Sequence, residues 1–292
     1  MDDYDLPSDV VGLVKVPPVS RRGFMTASAA AAAGYTLAAG DVRAEAITTD
    51  TAGLKAGMAQ AGKMPVYFAR PEGVANPPVI LVAMEIFGLH EYIKDVTRRL
   101  AKLGALAIAP DLYFRAGQDL TQIAEISKLM PIVNAKPDAE LITDLDSTVG
   151  WAKAEGGDTN KLGIIGFCRG GRAVWVYSAS NPALKAGVAF YGSLVDAEPQ
   201  KTIWPKSPSE LATDMKAPVL GLYGEMDQGI PVAQVMAMKA ALEAAGKMAD
   251  FRVYPGAPHG FHADYRPSYR KDAADDAWAL TTAWFKKYKV LG

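Results

Sequence analysis

From Ile47 onward, short apolar runs alternate with longer stretches of helical spacing, the pattern of strands and helices built around a mostly parallel sheet. Val79 to Met84 is a continuous, branched apolar run, as expected of a strand buried on both faces. His90 to Leu103 has helical spacing, with Ile93, Val96, Leu100 and Leu103 on one side and Lys94, Arg98, Arg99 and Lys102 largely opposite. Ala105 to Ala109 predicts the next strand, stopped by Pro110-Asp111. Helices are expected near 119–130 and 138–154, with Pro131 and Pro137 breaking the chain between them. Leu162 to Phe167 predicts a strand that runs into a helix from Arg169 to Ala179. Val188 to Tyr191, Val219 to Tyr223 and Phe251 to Tyr254 supply further strands, and Pro231 to Ala245 a helix between the last two. A final helix from about Lys271 to Tyr288 carries a packing stripe of Ala274, Trp278, Thr281, Trp284 and Phe285. No linker or repeat divides 47–292, so the expectation is one α/β domain with a doubly wound, mostly parallel sheet and helices on both faces.

Residues 1–46 follow another pattern. Ser20-Arg21-Arg22-Gly23-Phe24-Met25 precedes an Ala-rich run from Thr26 to Gly40, and Ala44-Glu45-Ala46 is a small-x-small tripeptide of the kind signal peptidase cuts. In that order these features predict a twin-arginine export signal, with the twin-arginine translocon as a partner and the periplasm or exterior as the destination. The run is too short and too weakly apolar for a stable membrane anchor.

Composition narrows the class. Half the residues are hydrophobic and the formal net charge is −1, which offers no basic face for nucleic acid. One cysteine excludes an internal disulfide and a cysteine-built metal site, and three histidines leave little for a histidine-rich one. No cofactor is implied. A lone thiol in an oxidising compartment is either buried or employed.

The most informative stretch is Leu162-Gly163-Ile164-Ile165-Gly166-Phe167-Cys168-Arg169-Gly170-Gly171, a buried strand running through Gly-x-Cys-x-Gly straight into a helix. This is the nucleophile-elbow pattern with sulfur in place of a serine oxygen. The turn is sharp enough that side chains two positions either way would clash, hence Gly166 and Gly170. It sets the thiol at a helix N-terminus, which favours thiolate, and leaves the Arg169 amide to bind a developing oxyanion. A nucleophile of this kind needs an acid and a histidine later in the chain. Asp227, past the apolar strand at 219–223, fits the acid, with Glu225 a rival; His259, bracketed by Pro258 and Gly260, fits the base, with His262 a fallback. Glu85 ends another buried strand, from which its carboxylate could reach the thiol and the Ile86 amide serve as second oxyanion donor. His90 opens a helix and is expected to cap it or line a wall.

Taken together, Glu85-Ile86-Phe87-Gly88, Asp111-Leu112-Tyr113 with Arg115 nearby, the Gly166 to Gly171 elbow, Asp227 and His259-Gly260-Phe261 resemble the dienelactone hydrolase family. The resemblance runs from about residue 54 to the end. It implies the α/β-hydrolase fold, hydrolysis of a small-molecule ester or lactone, a Cys168-Asp227-His259 triad, and a Glu85 that keeps the thiol quiet until substrate displaces it. One departure bears on the substrate. The best-studied members grip a substrate carboxylate with two arginines, one four residues past the histidine and one in the helical region after Asp-Leu-Tyr. Here the first position is Ala263, and 116–140 holds only Lys128 and Lys136, with Arg266 and Arg270 as the nearest substitutes. An esterase or lactonase for an uncharged substrate is therefore a competing expectation. A non-catalytic thiol sensor is another, disfavoured because a sensor needs no oriented base.

Overall fold

The computed structural model describes residues 47–196, 201 and 203–292; the export signal expected at 1–46 lies outside the described residues. Eight strands form one sheet: β1 (Leu54–Ala61), β2 (Met64–Pro71), β3 (Pro78–Ala83), β4 (Leu106–Pro110), β5 (Asp158–Phe167), β6 (Ala186–Phe190), β7 (Val219–Gly224) and β8 (Ala249–Tyr254). Their spatial order is β1-β2-β4-β3-β5-β6-β7-β8. The first two strands run antiparallel and the rest are parallel to one another. Among the described residues the α-helices are α1 (Glu91–Lys102), α2 (Ile126–Asn134), α3 (Asp138–Ala154), α4 (Arg169–Ser180), α5 (Val232–Ala244) and α6 (Lys271–Lys287).

The central strands read as unbroken apolar runs because both faces are covered. Val79 to Ala83 is wholly buried. On one face Phe285 of α6 closes over Gly163 of β5; on the other Val174 of α4 closes over Gly187 of β6. A side chain at either glycine would push a helix off the sheet.

The antiparallel β1–β2 hairpin was not anticipated. It turns through Gly62 at φ +65°, and most of β1 is small or polar with only Leu54 and Ala61 buried, so no apolar run announces it. The helix expected near 119–130 is instead a short 3-10 turn at Leu120–Gln122 followed by α2. Pro131 lies inside α2 rather than breaking the chain before it. Along α1 the polar side is not all solvated. Arg98 is buried and bonds the Tyr67 hydroxyl at 3.1 Å, whereas Leu103, past the helix end, is exposed.

Candidate active site

Register decides what reaches the carboxyl edge of the sheet, where open α/β sheets place their ligands. Ala83 of β3 pairs with Gly166 of β5, so Glu85 and Cys168 each lie two residues beyond a paired position. Phe167 pairs with Phe190, which brings Tyr191 alongside. Gly224 pairs with Tyr254, and from that pair the chain runs into the loops carrying Asp227 and His259. Five side chains far apart in sequence therefore arrive at one edge.

Cys168 holds φ +56°, a conformation that costs a non-glycine residue strain, and caps the N-terminus of α4. A Cβ on Gly166 would stand 2.1 Å from the Gly170 carbonyl oxygen, and one on Gly170 would stand 2.0 Å from that of Ala83. Both positions are closed to any other residue. The Gly170–Ala83 approach brings the end of β3, Ala83 and the Met84 carbonyl, against the first turn of α4.

His259 Nδ1 lies 2.7 Å from Asp227 Oδ2. The other Asp227 oxygen accepts the Gly229 and Ile230 backbone N–H groups at 2.9 and 3.1 Å, which fixes the carboxylate. Burial alone would lower the His259 pKa. The Asp227 carboxylate, and after it the nearby Cys168, outweigh it and push the value up to about 10. Glu225, the rival acid, is exposed and accepts the Gly256 N–H instead.

The fallback histidine does not compete. His262 Nδ1 is hydrogen-bonded to the Tyr92 hydroxyl at 2.7 Å, and its ring packs among Phe167, Phe190 and Trp278. Burial, aided by Arg99, holds its pKa down to about 3. It is a neutral core histidine.

Glu85 is fully buried. The Tyr265 hydroxyl donates to Oε2 at 2.7 Å, His90 Nε2 stands 3.2 Å from the same oxygen, and Arg266 Nη2 lies 3.4 Å from Oε1. Burial works to raise its pKa, yet Arg266 and His90, with Tyr265, bring it down to about 2. Its strongest contacts run to these three residues. His90 makes no side-chain cap on α1 and is a wall residue against Glu85.

Sequence reasoning missed Tyr191 and Tyr265. Tyr191 is buried at φ +38°, with its ring 4.9 Å from that of His259. Its place at the end of β6, directly before Gly192, was the available signal. Tyr265 offered none, because its reach to Glu85 depends on how the 258–270 loop turns.

Several cations near this edge are already engaged. Arg115 grips Asp144 through two bonds of 2.7 and 2.8 Å, and Lys136 bonds Asp144 and Glu140. The Arg169 guanidinium lies 3.5 Å over the Trp204 ring and hydrogen-bonds Tyr113. Arg270 is exposed and bonds the carbonyls of Pro267 and Tyr269. Arg266, one of the two substitutes named from sequence, does reach the site, but its contact there is Glu85.

The strand order, the helices on both faces and the strand–turn–helix elbow at the carboxyl edge define an α/β-hydrolase. The chain belongs to the dienelactone hydrolase family, whose model matches residues 64–289. A Methylorubrum extorquens protein named "putative carboxymethylenebutenolidase" is 50% identical over 290 residues, covering 97% of this chain and 98% of that one. An Escherichia coli K12 protein of the same name is 49% identical, covering 78% and 84%. The crystal structure of a "putative dienelactone hydrolase" from Klebsiella pneumoniae superposes with a TM-score of 0.77 at 46% identity, over 80% of this chain and 99% of that one. The chain is a carboxymethylenebutenolidase-like hydrolase.

Proposed function

We propose that the protein cleaves a carboxylic ester or lactone through a covalent thioester on Cys168. The observation that carries this reading is His259, bonded at 2.7 Å to Asp227 and carried to the same sheet edge as the elbow cysteine, close enough for Cys168 to raise its pKa. With His259 holding a proton, Cys168 attacks as thiolate. Its sulfur bonds to the substrate carbonyl carbon, and the carbonyl electron pair moves onto oxygen, where the Ile86 and Arg169 amides receive it. Collapse expels the alkoxide, which takes the His259 proton. Neutral His259 then draws a proton from water, the hydroxide adds to the thioester, and thiolate leaves to restore the pair.

In this reading Glu85 is not the acceptor of the thiol proton. A carboxylate with a pKa brought down to about 2 by Arg266, His90 and Tyr265 is a weak base at neutral pH. It acts as a positioning residue that sets the field beside the thiol.

We favour an uncharged acyl group. Arg115, Lys136 and Arg266 each have a carboxylate already. A chromogenic ester assay tests both points. Neutral esters should turn over faster than matched anionic ones, and iodoacetamide should abolish both; activity that survives complete alkylation of Cys168 would sink the thiol mechanism. We also propose export through the twin-arginine translocon. Changing Arg21 and Arg22 to lysine should leave the protein in the cytoplasm, and unchanged periplasmic recovery would remove that reading.

A further inference from the structure

The segment that follows the expected cleavage point is fastened to the same loop that carries the histidines. The Thr49 backbone N–H donates to Asp95 of α1. Ile47 lines a cavity of about 170 Å³ together with Arg99, His262, Tyr269, Asp275 and Trp278. Arg99 bridges the two sides, with Nε on Asp95 at 2.5 Å and Nη2 on Asp264 at 2.6 Å.

Asp264 is the unusual member. Its side chain is 2% exposed, and its one ion-pair partner among the described residues, Arg99, is shared with Asp95. Its other oxygen, Oδ1, is buried without a full hydrogen bond from any described residue, while the Ile47 backbone N–H lies against the carboxylate. Burial keeps its pKa above the ordinary value even so. A buried carboxylate left this short of donors is expensive unless something further arrives.

We propose that signal removal after Ala46 supplies that donor, the new α-ammonium of Ile47 pairing with Asp264 and fastening the loop that holds His259, Tyr265 and Arg266. The proposal rests on the export reading. In the uncut chain the Ile47 nitrogen is an uncharged amide with one hydrogen. Hydrolysis of the Ala46–Ile47 bond leaves a carboxylate on Ala46 and an ammonium with three donors on Ile47. Asp264 directly precedes Tyr265 and Arg266, which contact Glu85, so the pair would lock the far side of the active-site wall only in the processed protein.

The test uses the exported protein purified from the periplasm. Four forms are compared: wild type, a Gly-Ser insertion between Ala46 and Ile47, and each of these with Asp264→Asn. The insertion keeps the cleavage tripeptide and the Ile47 N–H but carries the charge two residues away. Intact mass should give Ile47 as the wild-type N-terminus. The wild type should melt about 2–4 °C above the insertion form, and the gap should vanish in the Asp264→Asn pair. Equal melting temperatures, or a gap that persists with Asn, would overturn the pairing. Should Asp264→Asn fail to fold, acylation of the α-amine decides. It should be at least about tenfold slower in wild type than in the insertion form, because a carboxylate partner keeps the amine protonated, and equal rates would overturn the proposal. A mass placing the N-terminus elsewhere overturns the processing step itself, independently of the melting data.

Discussion

His259 and His262 sit three residues apart in one loop, and both are buried. Their chemistry is opposite. Burial pushes both toward the neutral form, but His259 faces Asp227 and is carried up to about 10, while His262 faces a tyrosine hydroxyl and Arg99 and falls to about 3. Burial therefore does not decide which histidine favours its protonated form. The partner does. The 258–270 loop gives the sheet edge one histidine whose carboxylate partner favours the protonated form and gives the core one whose surroundings favour the neutral form.

Removing the group that His259 serves should have the largest effect. Cys168→Ala should lower kcat/KM by more than about 10³-fold with the fold retained, as judged by an unchanged melting curve. Asp227→Asn should cost about 10³–10⁴-fold by depriving His259 of its partner. Separating the two histidines comes next. His259→Ala should lose at least about 10³-fold in kcat/KM, whereas His262→Ala should stay within about tenfold while losing about 2–4 kcal/mol of stability as a cavity opens among Phe167, Phe190 and Trp278. A large catalytic loss at His262 with intact stability would erase the contrast.

Stability against pH should show the same contrast with smaller amplitude. The His259 pKa is raised on folding, so its contribution is complete below the unfolded value of 6.5 and fades as pH rises toward about 10. His262 is depressed, so its contribution is complete above 6.5 and fades as pH falls toward about 3. Glu85 is also depressed and adds a loss between 4.5 and about 2. Denaturant titrations should therefore find His259→Ala flatter on the alkaline side, and His262→Ala and Glu85→Gln flatter on the acid side. Glu85→Gln should also lower kcat more than it raises KM, and should cost about 3–5 kcal/mol by leaving Arg266 buried without its carboxylate. Wild-type turnover and stability in that variant would reduce Glu85 to a wall residue.

The parallel half of the sheet was legible in the sequence because strands buried on both faces write continuous apolar runs, as Val79 to Ala83 and Leu162 to Phe167 do. The β1–β2 hairpin was not, since an edge made of Ala, Gly, Lys and Gln buries little. Cys168, Asp227 and His259 could be picked out because their turns require glycine or proline at fixed offsets. The surroundings of Glu85 could not. Tyr265 reaches it from 180 residues away, with Arg266 beside it, through a loop with no periodicity, and Tyr191 arrives by strand register. Which carboxylate an arginine has found is a matter of tertiary packing, and composition does not record it.

The most direct measurement is the site of acylation. Protein mixed with a slowly hydrolysed p-nitrophenyl ester and quenched in acid should gain one acyl group by intact mass, and peptide mapping should find it on Cys168. His259→Gln should show little of that adduct at the same time point, while His262→Gln should show as much as wild type. An acyl group on any other residue, or equal acylation with and without His259, would contradict the account.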